Sequence, residues 1–270
     1  MFILTHKEFN PAFDRLLETY PSKAISSIVK DKAKYFAELA VAVDVLNGLP
    51  GVVSSRFKLL DVGGGSGNFA WLAKDLFDLD VFMVDRQTEF APELGRVMGD
   101  SDGVSQRMSK KEITFTGVDP VSEEFFMDEN FDVIVNFDVI EHLSFGVPLF
   151  VEKLSKQLTV TGCLVISTPN QVHLVNRIKS LLGYNTWEDY DYYMSCDHFF
   201  GHIRELTLSE FRVLLSSTCS HGRVFGRSHQ LNRYGTLGRK KFFPLVVGRL
   251  FDSLFPFFSY QLFSISKRKQ

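Results

Sequence analysis

One segment of this 270-residue chain has the residue types and spacing of a ligand-binding loop. In LLDVGGGSGNF, Gly63, Gly65 and Gly67 form a G-x-G-x-G loop, and Asp61 lies two residues before it. Glycines permit positive φ angles and let a ligand lie against the backbone. The helix that follows such a loop offers unpaired N–H groups at its start. The segment therefore predicts a binding loop at a strand-to-helix turn.

A carboxylate follows at the end of the next apolar run, VFMVD. Asp85 ends this run and lies one strand–helix–strand unit after the loop. An acid at this place can accept hydrogen bonds from ribose hydroxyls, as it does in dinucleotide-binding folds. Each motif alone is weak, since Asp85 could belong to a solvated turn. Their occurrence together favours a ligand that contains a nucleoside.

The glycine spacing favours S-adenosylmethionine over a dinucleotide. A dinucleotide loop, G-x-G-x-x-G, requires glycine at the position that Asn68 occupies. Asp61 can face the cationic amino group of a methionine-like moiety, and S-adenosylmethionine has no phosphate to bind. A nucleotide-dependent oxidoreductase on a related fold remains the alternative enzyme.

A second cluster with chemical potential follows the run FDVIVN. Asp138, Glu141 and His142 have the spacing acid-x-x-Glu-His. His142 titrates near neutrality and suits a general base, with Glu141 beside it. The alternative is that these residues only pack a turn. The set could also hold magnesium or manganese, but the sequence assigns no metal to it.

Five short apolar runs must position these clusters. They are FKLLDV, DVFMVD, ITFTGV, FDVIVN and CLVIST, and they alternate with helical stretches. This alternation predicts a doubly wound α/β sheet that is buried on both faces. Both clusters would then lie at the carboxyl ends of strands, where such sheets bind ligands.

The remaining segments divide the chain into two predicted parts. Residues 1–50 read as an N-terminal helical segment, and residues 51–270 as the main domain. Thr207 and Glu210 form a capping box that predicts a helix start. Pro244–Phe255 has an apolar helical face, and the final segment SYQLFSISKRK alternates like a strand.

A long aromatic-rich segment, 169–206, interrupts the alternation. Loops of this length in a compact domain are usually functional or disordered, and the aromatic content argues against disorder. We expect a lid that covers the acceptor through Tyr190, Tyr192, His198 and His202. The alternative is a structural subdomain with a small core of its own.

These motifs together resemble, in order, those of class I S-adenosylmethionine-dependent methyltransferases. LLDVGGGSGNF resembles their first motif, VFMVDR the second, FDVIVNFDVIEHL the fourth and GCLVISTPN the fifth strand. The resemblance implies a mostly parallel seven-stranded sheet with an antiparallel last strand, N-terminal helices and a lid insertion. It also implies S-adenosylmethionine as the cofactor.

The resemblance assigns roles to the loop and to Asp85. Asp61, Gly63 and Gly65, with Gly67 completing the loop, would contact the methionine end of the cofactor. Asp85 would hold the ribose.

Four further positions match the family's motifs. Arg86 would flank the adenine, and Asp119, which follows the third strand, would bind the adenine amine. Asn136 and Phe137 would lie under the sulfonium centre.

The acid-x-x-Glu-His segment resembles the metal-binding segment of small-RNA 2′-O-methyltransferases and of ubiquinone-pathway O-methyltransferases. In that comparison, Asp138 replaces the Glu typical of those families. A fourth ligand would come from His198 or His202.

Composition narrows the acceptor and the setting. The formal net charge of -2 gives no global positive field, so a nucleic-acid acceptor is not expected. The three cysteines form no zinc or disulfide pattern, which predicts a reducing, cytoplasmic setting. Basic residues at 239–241 and 267–269 could contact a membrane surface, but a helix that covers the sheet, followed by a final strand buried within it, is favoured. We expect methyl transfer to oxygen or nitrogen of a small-molecule or glycan acceptor. A catalytically silent binding module is the alternative that the intact loop and Asp85 disfavour.

Overall fold

The computed structural model describes residues 1–50, 56–86, 101–195, 201–228 and 252–269. The N-terminal segment forms three helices, α1 (His6–Glu18), α2 (Ser22–Lys30) and α3 (Lys32–Gly48). Thr5 caps α1 in a capping box with Glu8. The helical prediction for residues 1–50 is confirmed.

The remaining elements form a seven-stranded sheet with helices between the strands. The strands are β1 (Lys58–Val62), β2 (Asp80–Asp85), β3 (Thr114–Gly117), β4 (Phe131–Phe137), β5 (Leu158–Pro169), β6 (Ser220–Arg227) and β7 (Gln261–Lys267). The helices are α4 (Asn68–Leu76), α5 (Ser101–Lys110), α6 (Val147–Lys156), α7 (Leu174–Leu181), α8 (Tyr190–Ser195) and α9 (Leu208–Thr218). Among the described residues, two short 3-10 helices span Ile140–His142 and Pro256–Phe258.

The strand order is β3-β2-β1-β4-β5-β7-β6. β1 to β5 pair in parallel, and β7 pairs antiparallel with both β5 and β6. The sheet confirms the predicted α/β fold with its antiparallel last strand. Its order reverses between β1 and β4, and this is the switch point at which open α/β sheets bind ligands.

Alternate side chains of the inner strands enter opposite cores. Leu59 and Val133 pack with the N-terminal helices and α4 on one face of the sheet. Leu60 and Ile134 pack with α6 and α9 on the other face. Because both faces are covered there, β1, β4 and the end of β5 read as continuous apolar runs, as the sequence pattern predicted. The prediction is wrong for the run ITFTGV, because β3 lies at the edge of the sheet and its residues are half-buried or exposed.

The carboxyl-terminal elements also follow the sequence. Thr207 caps α9 in a capping box with Glu210, as predicted. The last segment forms β7, which lies between β5 and β6. The predicted helix Pro244–Phe255 and the basic residues 239–241 lie largely or wholly outside the described residues. Within the described part of the chain, no helix combines the length and apolarity that a bilayer crossing requires.

Candidate active site

The glycine loop connects β1 to α4 in a conformation that requires glycine. Gly63, Gly65 and Gly67 have φ angles of 75°, 56° and 74°. A β-carbon at Gly63 would collide with the side chain of Val139, which follows β4. One at Gly64 would lie 2.7 Å from Oδ2 of Asp61. The loop thus keeps its backbone bare where β1 and β4 meet.

Asp85 faces this loop from the end of β2. Its Oδ2 accepts a 2.6 Å hydrogen bond from the backbone N–H of Gly65. Burial raises the pKa of Asp85 to about 6, although the hydrogen bond from Gly65 opposes the shift. The two motifs that the sequence paired therefore touch in the structure.

Asp61 lies at the floor of the site. Its side chain is buried, and Oδ2 has no hydrogen-bond partner among the described residues. Burial, and then the negative charge of Asp85, raise the pKa of Asp61 to about 8. A buried carboxylate oxygen without a partner is costly, so this atom is suited to a cationic ligand group.

A cavity of about 330 Å³ opens between the glycine loop, the end of β4 and the N-terminal helices. This volume lies within the range of small-molecule sites, about 300–1,000 Å³. Its described lining is Tyr20, Ser27, Ile28, Asp31, Lys34, Tyr35, Glu38, Asp61, Gly63, Gly64, Gly65, Ser66, Asn68, Phe69, Phe137 and Asp138. The N-terminal helices thus form one wall of the site, which the sequence did not predict.

The two residues predicted at the end of β4 have different surroundings. Phe137 lines the cavity and packs edge-on against Phe69, with ring centroids 5.0 Å apart. Asn136 is fully buried and donates from Nδ2 to the carbonyl of Val62 at 2.8 Å. Asn136 thus ties β4 to the end of β1, and Phe137 alone of this pair lines the described cavity.

The predicted adenine side is described only in part. Arg86 is exposed, and residues 87–100 lie outside the described residues. Asp119 follows β3, and its Oδ1 accepts a 2.9 Å hydrogen bond from the backbone of Val121. The charge of Asp119 contributes to the raised pKa of Asp85, so the two carboxylates lie close enough to interact.

Asp138 is engaged in a network at the switch point. Its Oδ2 lies 2.6 Å from Nζ of Lys34, and its Oδ1 accepts hydrogen bonds from Ser167 at 2.9 Å and Gln261 at 2.6 Å. Lys34 in particular lowers the pKa of Asp138 and so offsets its burial. The backbone of Asp138 has φ 53°, an uncommon conformation outside glycine that is tolerated best by Asn and Asp.

Lys34 and Glu38 are site residues that sequence reasoning missed. They lie one turn apart on α3, and Nζ of Lys34 is 3.8 Å from Oε1 of Glu38. Glu38 is only 2% exposed. The signal in the sequence was a pair of opposite charges four residues apart within a largely apolar helix. Such pairs are common on the exposed faces of helices, so the sequence alone suggests that this pair is solvated.

The predicted catalytic residues lie in the 3-10 helix after β4, where they meet the end of the lid segment. One ligand atom each from Glu141, His142 and His202 lies within 4.8 Å of the others. The His142 and His202 rings meet edge-on at 4.9 Å. The carbonyl of Glu141 accepts hydrogen bonds from the backbone of Ile203 at 2.8 Å and Arg204 at 3.1 Å. Of the set that the sequence suggested, the structure brings Glu141 and His142 together with His202, while Asp138 lies outside this group.

The pKa values of the three residues in this cluster shift in different directions. Burial and the charge of Asp138 raise the pKa of Glu141 to about 8, and its Oε2 accepts a 3.1 Å hydrogen bond from Thr168. Partial burial and the neighbouring His202 lower the pKa of His142 below its usual 6.5. The pKa of His202 is raised, because its hydrogen bond with Glu205 and the nearby carboxylates outweigh desolvation. His142 is therefore neutral at neutral pH.

The lid segment contains α7 and α8 and exposes its apolar side chains. Exposed large residues are Leu174, Ile178, Leu181, Leu182, Tyr184, Trp187, Tyr190, Tyr193 and Met194. Tyr190 is thus open to solvent, Tyr192 is half-buried, and His198 lies outside the described residues. This exposure does not fit a subdomain that buries its aromatics in its own core.

Comparisons with known proteins place this architecture. A family profile described as a methyltransferase domain matches residues 11–218. The methyltransferase domain of bacterial CtHen1 is 15% identical, over 88% of this chain and 98% of that chain, with a TM-score of 0.52. A methyltransferase of Thermotoga maritima, described as a possible histamine N-methyltransferase, is 13% identical over 97% and 100%, with a TM-score of 0.53. The plantazolicin methyltransferase BpumL, solved with S-adenosylhomocysteine, is 17% identical over 97% of each chain, with a TM-score of 0.51. None of the curated proteins matches the sequence.

Proposed function

Because the chain belongs to the methyltransferase-domain family and is an S-adenosylmethionine-dependent methyltransferase, we propose that it methylates oxygen or nitrogen of a small-molecule or glycan acceptor. The family match confirms the resemblance, the enzyme class and the cofactor that the motifs implied. It stands against the oxidoreductase, whereas the silent module is distinguished by the labelling experiment below.

The cavity beside the glycine loop fits S-adenosylmethionine in charge. Four of its described lining residues are carboxylic acids and one is a lysine. The cofactor carries a sulfonium, an ammonium and one carboxylate, so its net charge is positive. This complementarity supports the cofactor assignment on which the proposal rests.

Individual residues would hold the cofactor in the following way. Asp61 and the glycine loop would bind the methionine end, and Phe137 would form the wall near the sulfonium. Asp85 would bind the ribose, with Arg86 and Asp119 on the adenine side. The cofactor supplies a methyl group that its positively charged sulfur has already activated.

The chain's own catalytic task is to orient the acceptor and take its proton. We assign the role of general base to His142, because its lowered pKa favours the neutral imidazole, which can accept the acceptor's proton. Glu141 lies beside it with a raised pKa. Exposed aromatic rings on the lid, such as Trp187 and Tyr190, offer flat apolar surfaces to an acceptor.

A divalent cation is the second candidate for activating the acceptor. The ligand atoms of Glu141, His142 and His202 lie close enough together to share one ion. Nδ1 of His202 is 2.7 Å from Oε1 of Glu205, and Nδ1 of His142 is 3.2 Å from the carbonyl of Gly201. Such outer partners orient metal-binding imidazoles. Asp138, by contrast, is already held by Lys34.

The setting and the acceptor class follow from composition. We place the reaction in the cytoplasm, where the buried free thiols of Cys163 and Cys219 would stay reduced. The slightly negative net charge favours an uncharged or cationic acceptor over a nucleic acid.

The test is a screen of acceptor panels and cell extracts with isotope-labelled methyl donor. We expect a labelled product whose mass increases by one methyl group, and loss of that product with His142→Ala. If S-adenosylhomocysteine binds but no acceptor is labelled, the silent binding module would replace the proposal.

A further inference from the structure

The wall of the cavity that α3 provides carries charges with no assigned role. Among the described lining residues, Lys34 is the sole basic residue. It faces the carboxylate of Asp138 at 2.6 Å and that of Glu38 at 3.8 Å. A lysine Nζ has three N–H donors, so it can donate to a further anionic partner or exchange one partner for another.

Two residues that line the same cavity each carry a buried carboxylate oxygen without a hydrogen bond to a described residue. These oxygens are Oε1 of Glu38 and Oδ2 of Asp61, and both side chains are 2% exposed. Glu38 and Asp61 lie close enough for their charges to interact, and burial raises the pKa of each to about 8. Two such oxygens at one cavity are suited to a ligand that brings an ammonium group.

We propose that Lys34 and Glu38 complete the amino-acid end of the cofactor site. Lys34 binds the carboxylate of the methionine part of the cofactor. Glu38 and Asp61 together bind the ammonium group of that same part. This inference rests on the proposed function, since it takes the cofactor as the occupant of the cavity. It places a charged selectivity element on the N-terminal helices, outside the glycine loop.

The ion pair between Lys34 and Asp138 then links cofactor binding to the acceptor side. As Lys34 engages the cofactor carboxylate, its hold on Asp138 weakens. Asp138 keeps its hydrogen bonds from Ser167 and Gln261, so the turn after β4 stays in place. Asp138 is thus a competitor for Lys34 in the empty site.

Two nucleosides that differ in their amino-acid part test whether Lys34 and Glu38 bind that part. S-adenosylhomocysteine carries the amino-acid part, and 5′-methylthioadenosine lacks it. Calorimetry on the full chain should show that Lys34→Met weakens binding of S-adenosylhomocysteine by roughly 10- to 100-fold, the ratio that corresponds to a charge-assisted hydrogen bond. Binding of 5′-methylthioadenosine should stay unchanged. Glu38→Gln should likewise weaken binding of S-adenosylhomocysteine and leave binding of 5′-methylthioadenosine unchanged.

Controls address folding and charge. Lys30→Met changes an exposed lysine at the end of α2 and should affect neither nucleoside. Asp138→Asn removes the competitor and should tighten S-adenosylhomocysteine binding. If Lys34→Met does not fold because Asp138 is left unpaired, Lys34→Met combined with Asp138→Asn removes both charges together.

The outcomes distinguish the inference from the function beneath it. If Lys34→Met weakens binding of both nucleosides equally, or weakens binding of neither, the role of Lys34 is overturned and the methyltransferase proposal stays intact. Failure of the wild-type chain to bind either nucleoside would instead count against this cavity as the cofactor site.

Discussion

The carboxylate of Asp85 accepts a 2.6 Å hydrogen bond from the backbone N–H of Gly65. This contact joins the end of β2 to the middle of the glycine loop. Asp85 therefore has two tasks in the proposed site: one oxygen fixes the loop, and the other remains for the ribose of the cofactor. The loop and the acid act as one unit.

Replacing Asp85 should weaken cofactor binding. We expect Asp85→Ala to reduce the affinity for S-adenosylhomocysteine by about 1–3 kcal/mol, the cost of hydrogen bonds lost at a buried site. Since burial raises the pKa of Asp85 to about 6, wild-type affinity should also fall as the pH drops below that value. Calorimetry from pH 5 to pH 8 measures both effects. An unchanged affinity in Asp85→Ala would remove Asp85 from the ribose role.

Gly63 offers a test of the loop with a matched control. Gly63 and Gly146 have similar φ angles of 75° and 72°, so alanine strains both backbones alike. A β-carbon at Gly146 meets open space, whereas one at Gly63 collides with Val139. Gly63→Ala should therefore abolish S-adenosylhomocysteine binding while Gly146→Ala keeps it. Equal binding by the two variants would contradict a cofactor seated on this loop.

The sequence predicts the sheet and the loop well because their signals are local. The apolar runs of the central strands are buried on both faces of the sheet, and Gly63, Gly65 and Gly67 have positive φ angles. The wall formed by Lys34 and Glu38 leaves no comparable signal. Its meaning depends on the contact of Lys34 with Asp138, which only the fold brings about.

The same limit applies to the histidines of the lid segment. His198 and His202 are equivalent in the sequence, four residues apart in DHFFGHIRE. The structure places His202 against His142, because the backbone of Ile203 and Arg204 hydrogen-bonds to the carbonyl of Glu141. This docking is a tertiary contact that spacing alone does not specify.

Asp61 should make the free protein less stable as the pH rises. Its pKa is about 8 in the folded chain and 3.8 in a solvated carboxyl. Between these values the unfolded chain loses a proton that the folded chain retains, so the free energy of unfolding falls with increasing pH. We expect Asp61→Asn to stabilise the empty protein at pH 8, by about 1–3 kcal/mol, and to change it little near pH 4. Denaturant unfolding at both pH values measures this.

Asp75 is the matched control for this prediction. Arg15 and Lys111 hold the pKa of Asp75 below its usual value despite partial burial. Its contribution to stability is therefore present at neutral pH and is lost as the pH falls through the folded pKa. Asp75→Asn should destabilise the protein at pH 8. A pH-independent effect of Asp61→Asn would show that its carboxyl is solvated in the folded protein.

His142 should affect turnover without affecting cofactor binding. We expect His142→Gln to lower kcat by roughly 10²- to 10⁴-fold, the contribution of a positioned general base. The affinity for S-adenosylhomocysteine should be unchanged. The wild-type rate should fall in acid with a midpoint below pH 6.5, since the pKa of His142 is lowered. His6→Gln, an exposed change on α1, is the control for a general effect on folding.

Chelation distinguishes the base from a metal ion at the same cluster. If His142 acts as the base, activity on the identified acceptor persists in excess chelator. Loss of activity in chelator, with recovery on adding magnesium or manganese, would assign the cluster to a metal instead. In that case Glu141→Ala and His202→Ala should lose activity together with metal binding.

The lid should become less exposed when the acceptor binds, and its tryptophan can report this change. The chain has two tryptophans, of which Trp187 on the lid is 56% exposed and Trp71 on α4 is 6% exposed. Binding of cofactor and acceptor should shift the emission to shorter wavelength and reduce acrylamide quenching. Trp187→Phe should remove both changes, because the buried Trp71 stays where it is.

The complex should also resist chymotrypsin, which can cut the free protein at exposed residues such as Tyr184 and Tyr193. Equal quenching and equal cleavage with and without ligands would mean that the segment does not cover the acceptor.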